Sequence, residues 1–325
     1  MKKVKKTAKL FVLIIGISAA VFTGVFAFHL YKLGTESKWT EGGTEEKNQQ
    51  SLHVYEEGEG PDTFVFMAGH GIAAPMYEMK GLYSRFSKQN KIAVVERAGY
   101  GYSPVSHSER SIDQILSETR EALKRYGSKP PYVLVPHSIS GIEAIYWAQK
   151  YPNEVKAIIA LDIGLPKEYV EHQPGTGDKL IIRSMNFLVK LGFQRLAPHA
   201  AYNPEIISQT FLTAEEKKKY KALSYKNAMN DDMKNEFLQS TGNARTSMKL
   251  PYPKDTPILF ISAYTDENRR KEAVTHKYRE YEKFAGKLQK GKAVWVKGKH
   301  SIYLYAPDRI YSLAMEFMNG ASDKN

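Results

Sequence analysis

An apolar strand pattern, Val133-Leu134-Val135-Pro136, runs straight into His137-Ser138-Ile139-Ser140-Gly141 and on into a helix-like run from Ile142 to Tyr151. Strand, cramped turn, helix is the order that lifts a serine hydroxyl above the edge of a sheet, on a backbone held in a strained conformation. The turn tolerates only compact neighbours two residues to either side of the serine. Glycines usually fill both places; here they are Pro136 and Ser140, with Gly141 easing the crowding one residue later. Taken alone, the segment fits a second reading equally well, in which Ser138 only caps the helix that follows.

Other segments repeat the pattern of a buried strand followed by a chemically useful residue. Thr63-Phe64-Val65-Phe66-Met67-Ala68 reads as a strand and gives way to Gly69-His70-Gly71. Such a turn leaves backbone N–H groups facing an open site, where the amide of His70 can join that of Ile139 around an oxyanion. Lys91 to Glu96 is another strand, followed by Arg97-Ala98-Gly99-Tyr100-Gly101-Tyr102-Ser103. Pro257 to Ser262 leads to Asp266, and Ala293 to Val296 leads through Gly298 to His300. A serine, an acid and a histidine therefore follow three strand ends in that order, and in an open α/β sheet those ends meet at one crevice. Each has an ordinary alternative: His300 as a surface histidine, and Asp266 as the cap of a charged helix from Glu267 to Glu282.

These motifs resemble the α/β-hydrolase superfamily, in the branch that carries a helical cap, over roughly residues 52 to 320. The resemblance implies a mostly parallel central sheet flanked by helices, with the cap inserted after the strand ending near Asp162. It implies that Ser138 is the nucleophile, His300 the base and Asp266 the orienting acid, with Asp162 as the alternative acid, a position some members use. The segment Glu96 to Ser103 resembles the family's D-x-x-G-x-G-x-S loop with a glutamate in place of the aspartate. Two departures, Ala68-Gly69 where His-Gly is common and Pro136 and Ser140 beside the nucleophile, leave every reacting group in place. The expected activity is acyl transfer to water, on a carboxylic ester first and an amide or peptide second. A neutral imidazole would take the serine proton, held in the right tautomer by the acid. Serine at the elbow, rather than aspartate, argues against chemistry that needs a carboxylate nucleophile. A non-catalytic binding or interaction protein on the same fold, also at the membrane, is the alternative. His137 is expected to pack rather than react, because adjacent side chains diverge.

The N-terminus sets the location. Lys2, Lys3, Lys5, Lys6 and Lys9 precede Leu10 to Phe28, nineteen residues without a charge. As a helix that run spans about 30 Å of hydrocarbon, whereas signal-peptide cores run to about 7–15 residues. The expectation is a basic cytoplasmic segment 1–9, a membrane anchor 10–31 and a polar tether 32–51. A hydrolase domain 52–320 with its cap at about 166–250, and a tail 321–325, would lie outside the membrane. The tether would let the domain sit near the bilayer without packing on it. Val25-Phe26-Ala27 keeps a cleaved signal peptide and a secreted product open as the alternative.

Composition narrows the partners. The net charge of +12 comes partly from those five lysines, and the cluster Lys217, Lys218, Lys219 and Lys221 follows Glu215 and Glu216 on a helical pattern. No nucleic-acid motif accompanies the charge, so the expected partners are a small acyl substrate and membrane lipid. The chain has no cysteine, which excludes disulfides and thiolate metal sites. No cofactor or metal is expected. Ser111-Ile112-Asp113-Gln114 marks a capped helix reaching Tyr126, and the insertion carries helical patterns at Leu180 to Leu191 and Ala214 to Leu238.

Overall fold

The computed structural model describes residues 2–41 and 51–322. The chain begins with one long helix, α1 (Lys2–Thr40), and then builds a seven-stranded sheet in the order β1-β3-β2-β4-β5-β6-β7. The strands are β1 (His53–Glu57), β2 (Thr63–Met67), β3 (Lys91–Glu96), β4 (Tyr132–Pro136), β5 (Val155–Leu161), β6 (Ile258–Tyr264) and β7 (Gly291–Lys297). Every neighbouring pair is parallel except β1, which lies antiparallel on β3 with His53 opposite Glu96. A parallel sheet needs crossover helices on its faces, so its central strands lose contact with water on both sides. All five residues of β4 are accordingly buried, as are the last five of β5.

The crossovers are α2 (Pro75–Glu78), α3 (Lys80–Phe86), α4 (Ile112–Arg125) and α5 (Ser140–Lys150). Five more helices, α6 (Pro166–Glu171), α7 (Thr176–Lys190), α8 (Pro204–Ser208), α9 (Ala214–Asn227) and α10 (Asp231–Met248), lie between β5 and β6 and form the cap. The chain then returns through α11 (Glu272–Ala285) and α12 (Pro307–Ser322). Leu82, Phe86, Ile310 and Phe317 of α3 and α12 cover one face of the sheet. Leu116, Leu123, Trp147 and Tyr281 of α4, α5 and α11 cover the other. Each fully buried side chain of this size contributes about 1.5–3 kcal/mol, and the two layers fix the sheet rigidly beneath the cap.

Local signals explain several boundaries. Ser111 caps α4, its side chain accepting from the Gln114 amide at 3.3 Å. The pattern from Ala214 to Leu238 is not one helix, because α9 ends at Asn227 and Met229 takes a φ of 40°. Asn230 then caps α10 by accepting from the Met233 amide at 3.1 Å. The charged run after Asp266 becomes helical only from Glu272.

The N-terminal region departs from its expected division. An 18-residue window within Lys9–Thr40 has a mean hydropathy of 2.5 and none of it is buried, so α1 is long and apolar enough to cross a membrane. Residues 32–40, expected as polar tether, continue the helix and pack on α9. Met1, the rest of that tether (residues 42–50) and the tail residues 323–325 lie outside the described residues. The packing has a polar cause. Arg195, in the turn after α7, donates to both Glu36 carboxylate oxygens (2.8 and 3.4 Å) and to His29 Nδ1 at 3.0 Å. Lys226 of α9 donates to the Thr40 carbonyl at 3.3 Å.

Candidate active site

The carboxyl ends of β2, β4, β5 and β7 bring together Gly69-His70, Ser138, Asp162 and His300. Ser138 adopts a φ of 56°, the strained turn the sequence pattern calls for. Gly141 is required just behind it, because an added Cβ would lie 2.6 Å from Ile163 Cβ. Ser140 occupies the position where glycine is common, and its hydroxyl is used. It lies 2.8 Å from both the Met67 and His137 carbonyls and accepts from the His137 amide at 2.9 Å. The elbow is thereby stitched to the end of β2.

The Ser138 Oγ is 3.0 Å from His300 Nε2, and His300 Nδ1 is 2.6 Å from Asp162 Oδ2. A carboxylate only accepts, so Nδ1 carries the proton and Nε2 is free to accept from the serine. Asp162 is the carboxylate that meets the imidazole, and the expectation that Asp266 does so is corrected. Asp266 is exposed and pairs with Lys297 at 2.5 Å. The reason is length: β6 pairs with β7 as far as Tyr264 opposite Lys297, which carries Asp266 past the crevice. β5 stops at Leu161, and Asp162 turns at once with a φ of 44°.

Asp162 is set up to stay ionised. Burial alone would raise its pKa, but the Lys277 ammonium at 3.2 Å and the His300 hydrogen bond hold it at about 2. Its Oδ1 also accepts from the Ala263 amide at 3.0 Å. Lys277 donates in addition to the Asp162 carbonyl at 3.0 Å. No sequence pattern marks this lysine; its place on α11 is known only once the helix is packed.

His137 does pack, and it also positions. Its Nε2–H donates to the His300 carbonyl at 3.0 Å, the two rings lie 4.7 Å apart, and Tyr303 meets it edge-on at 5.0 Å. Burial, reinforced by the neighbouring His300, lowers its pKa to about 3, so it stays neutral. His137 thus fixes the loop that carries His300.

Gly69 lies against the elbow, where an added Cβ would come within 2.9 Å of Ser138 Cβ. Among the described residues the amides of His70 and Ile139 have no acceptor, as an oxyanion site requires. The His70 ring is turned away to the cap, donating from Nε2 to the Met233 carbonyl at 2.9 Å and packing on Phe237. Beneath it, Arg97 donates to the Ala68 carbonyl at 2.8 Å and pairs with Glu236 of α10 at 2.8 Å. Glu96, matching the acid of the expected loop motif, is a fully buried clasp. It accepts from the Met76 and Tyr102 amides at 3.2 and 2.8 Å and bonds His53 Nδ1 at 2.9 Å. Among the described residues no cluster of three His, Cys, Asp or Glu side chains is arranged to hold a metal.

No family model matches the chain. It is 52% identical over 321 residues to the uncharacterized protein YbdG of Bacillus subtilis, covering 98% of this chain and 99% of that one. Among solved structures it is similar to an epoxide hydrolase from Vigna radiata, with a TM-score of 0.57 at 18% identity over 82% of this chain and 94% of that one. A carboxylesterase structure from Nitrososphaera gargenis gives a TM-score of 0.57 at 14% identity, over 86% and 99% of the two chains. At such identities the likeness establishes a shared α/β-hydrolase fold and leaves the chemistry to the site.

Proposed function

This chain belongs to the same family as YbdG of Bacillus subtilis, and we propose that it is a membrane-anchored serine hydrolase transferring an acyl group to water. A hydrolytic role agrees with the hydrolases that share its fold. The observation that carries the finer reading is one imidazole bridging Ser138 Oγ at 3.0 Å and Asp162 at 2.6 Å. In that geometry His300 Nε2 takes the hydroxyl proton as Oγ attacks the acyl carbonyl, and Asp162 stabilises the imidazolium. The oxyanion receives the His70 and Ile139 amides, each aimed at charge that exists only in the transition state. His300 then protonates the leaving group, a water takes its place, and the same steps run in reverse to free the acid.

The substrate assignment is a carboxylic ester first, with an amide second. The fold shared with an epoxide hydrolase does not transfer that activity, because the elbow of this chain holds serine. The anchor reading rests on the apolar stretch of α1, with five lysines on its cytoplasmic side and the hydrolase domain outside.

One experiment tests both parts. A charged, membrane-impermeant fluorophosphonate applied to wall-stripped cells is expected to label the wild type and not Ser138→Ala. Labelling that needs permeabilised cells would reverse the topology. An unlabelled, folded wild type under both conditions would remove the activated serine.

A further inference from the structure

The cap presents an apolar face that nothing among the described residues covers. On α7 the exposed side chains include Leu180, Ile181, Met185, Phe187 and Leu188, with Leu196 just beyond its end. At 100° per residue, Leu180, Ile181, Ser184, Met185, Phe187 and Leu188 share about 160° of the helix surface. The opposite side is held down: Asn186 donates to the Met229 carbonyl at 2.9 Å and Lys190 pairs with Asp231 at 2.8 Å. Arg183 is exposed at the flank of the apolar face, about 40° beyond its edge, and Lys179 is exposed on the opposite side. A helix that turns its greasy side outward and places a cation at the border has the pattern of one lying in a membrane interface.

The position of α1 decides what covers that face. Leu10 to Phe28 is nineteen uncharged residues, about 28 Å as a helix, so it fills the hydrocarbon with little length to spare. Phe22 lies inside this run, about 9 Å from its outer end at Phe28. Yet the Phe22 ring packs on Phe193 of the cap at 5.0 Å between centroids. A cap residue touching Phe22 is at hydrocarbon depth, and Phe193 sits directly between α7 and Leu196. The ion pairs from Arg195 to Glu36 and its bond to His29 fix the cap at this height.

We propose that the tip of the cap, α7 and the turn through Leu196, is seated in the outer leaflet of the bilayer. Its apolar face lies among the acyl chains, and Arg183 at the border lies at the phosphates. The enzyme is then fixed to the membrane at two points, α1 through it and α7 in it. Asn186 on the inner side of α7 reaches Met229, four residues before Met233, whose carbonyl holds His70, so the leaflet contact is close to the site. The proposal rests on the reading of α1 as a membrane span.

The absence of cysteine makes the test direct. Full-length single-cysteine variants Leu180→Cys, Phe187→Cys, Ile15→Cys and Lys218→Cys carry an environment-sensitive fluorophore in nanodiscs of phosphatidylcholine and phosphatidylglycerol. Quenching is compared for a nitroxide on the lipid acyl chain and for aqueous iodide. Positions 180 and 187 are expected to behave like 15, quenched at least twofold more by the lipid nitroxide than by iodide, with 218 the reverse. Lipid quenching at 15 with iodide quenching at 180 and 187 overturns the seated cap while the anchor stands. Iodide quenching at all four removes the anchor and the proposal with it. Shielding of 187 from both quenchers, with disulfide cross-linking between protomers, assigns the face to a second copy and overturns it as well.

Discussion

Replacing Asp162 by asparagine is the sharpest perturbation the site allows, because it keeps shape and removes only charge. Asp162 accepts on Oδ1 from the Ala263 amide at 3.0 Å, with Lys277 at 3.2 Å, and on Oδ2 from His300 Nδ1 at 2.6 Å. The single amide oxygen of asparagine must face the two donors Ala263 and Lys277. Its NH₂ group then faces His300 and forces Nδ1 to become an acceptor. The proton moves to Nε2, which points at Ser138 Oγ and no longer has a lone pair for the hydroxyl. Loss of the correct tautomer lowers kcat by about 10⁴-fold in serine hydrolases, or about 5.5 kcal/mol of transition-state stabilisation. Asp266→Asn removes only an exposed, solvent-screened pair with Lys297, which touches no reacting atom. Its kcat is expected to stay within about twofold of wild type. The assay is steady-state hydrolysis of an aryl ester by purified full-length protein, with thermal unfolding as the control for fold. A kcat for Asp162→Asn within tenfold of wild type, or a larger loss from Asp266→Asn, would refute the reasoning.

Two further outcomes follow from the same network. Asp162 has its folded pKa lowered from 3.8 to about 2, so it contributes about 2 kcal/mol of stability that is present above pH ~4 and lost as pH falls toward 2; acid unfolding monitored by circular dichroism should show Asp162→Asn losing that dependence between pH ~4 and ~2. His137→Phe removes the donor to the His300 carbonyl while keeping a ring beside Tyr303, and is expected to lower kcat about tenfold with KM little changed. Because His137 is neutral with a pKa near 3, the pH–rate profile between about 5 and 9 should keep its shape, and a displaced profile would mean that His137 itself exchanges a proton.

What the amino-acid sequence discloses here depends on how far a residue's setting is decided by its immediate neighbours. Phe64 to Met67 and Val133 to Val135 are continuous apolar runs because both faces of those strands are covered, and such runs are readable without a structure. Ser138 is readable for a related reason, since the turn that strains it must sit between a strand and a helix. β1 is not: His53-Val54-Tyr55-Glu56-Glu57 is a half-exposed edge strand whose partner lies forty residues away, so no apolar run announces it. The helical end of α1 is hidden in the same way. Glu36 and Thr40 look like tether residues until Arg195 and Lys226, more than 150 positions later, bond to them.

The choice between two aspartates shows where local reasoning stops. Asp162 and Asp266 each follow a buried parallel strand, and each precedes a helix with charged residues. Their patterns are interchangeable, but the lengths of pairing are not. β6 continues alongside β7 to Tyr264, and the Gly298 amide closes that ladder on the Tyr264 carbonyl at 2.8 Å. That extra length lifts Asp266 to the solvent edge, where Lys297 meets it. β5 pairs with β6 only as far as Leu161 opposite Ile261, and Asp162 then turns inward under Lys277. Two or three residues of strand register therefore decide which carboxylate can hold the imidazole. Register is set by partners across the sheet rather than by neighbours along the chain.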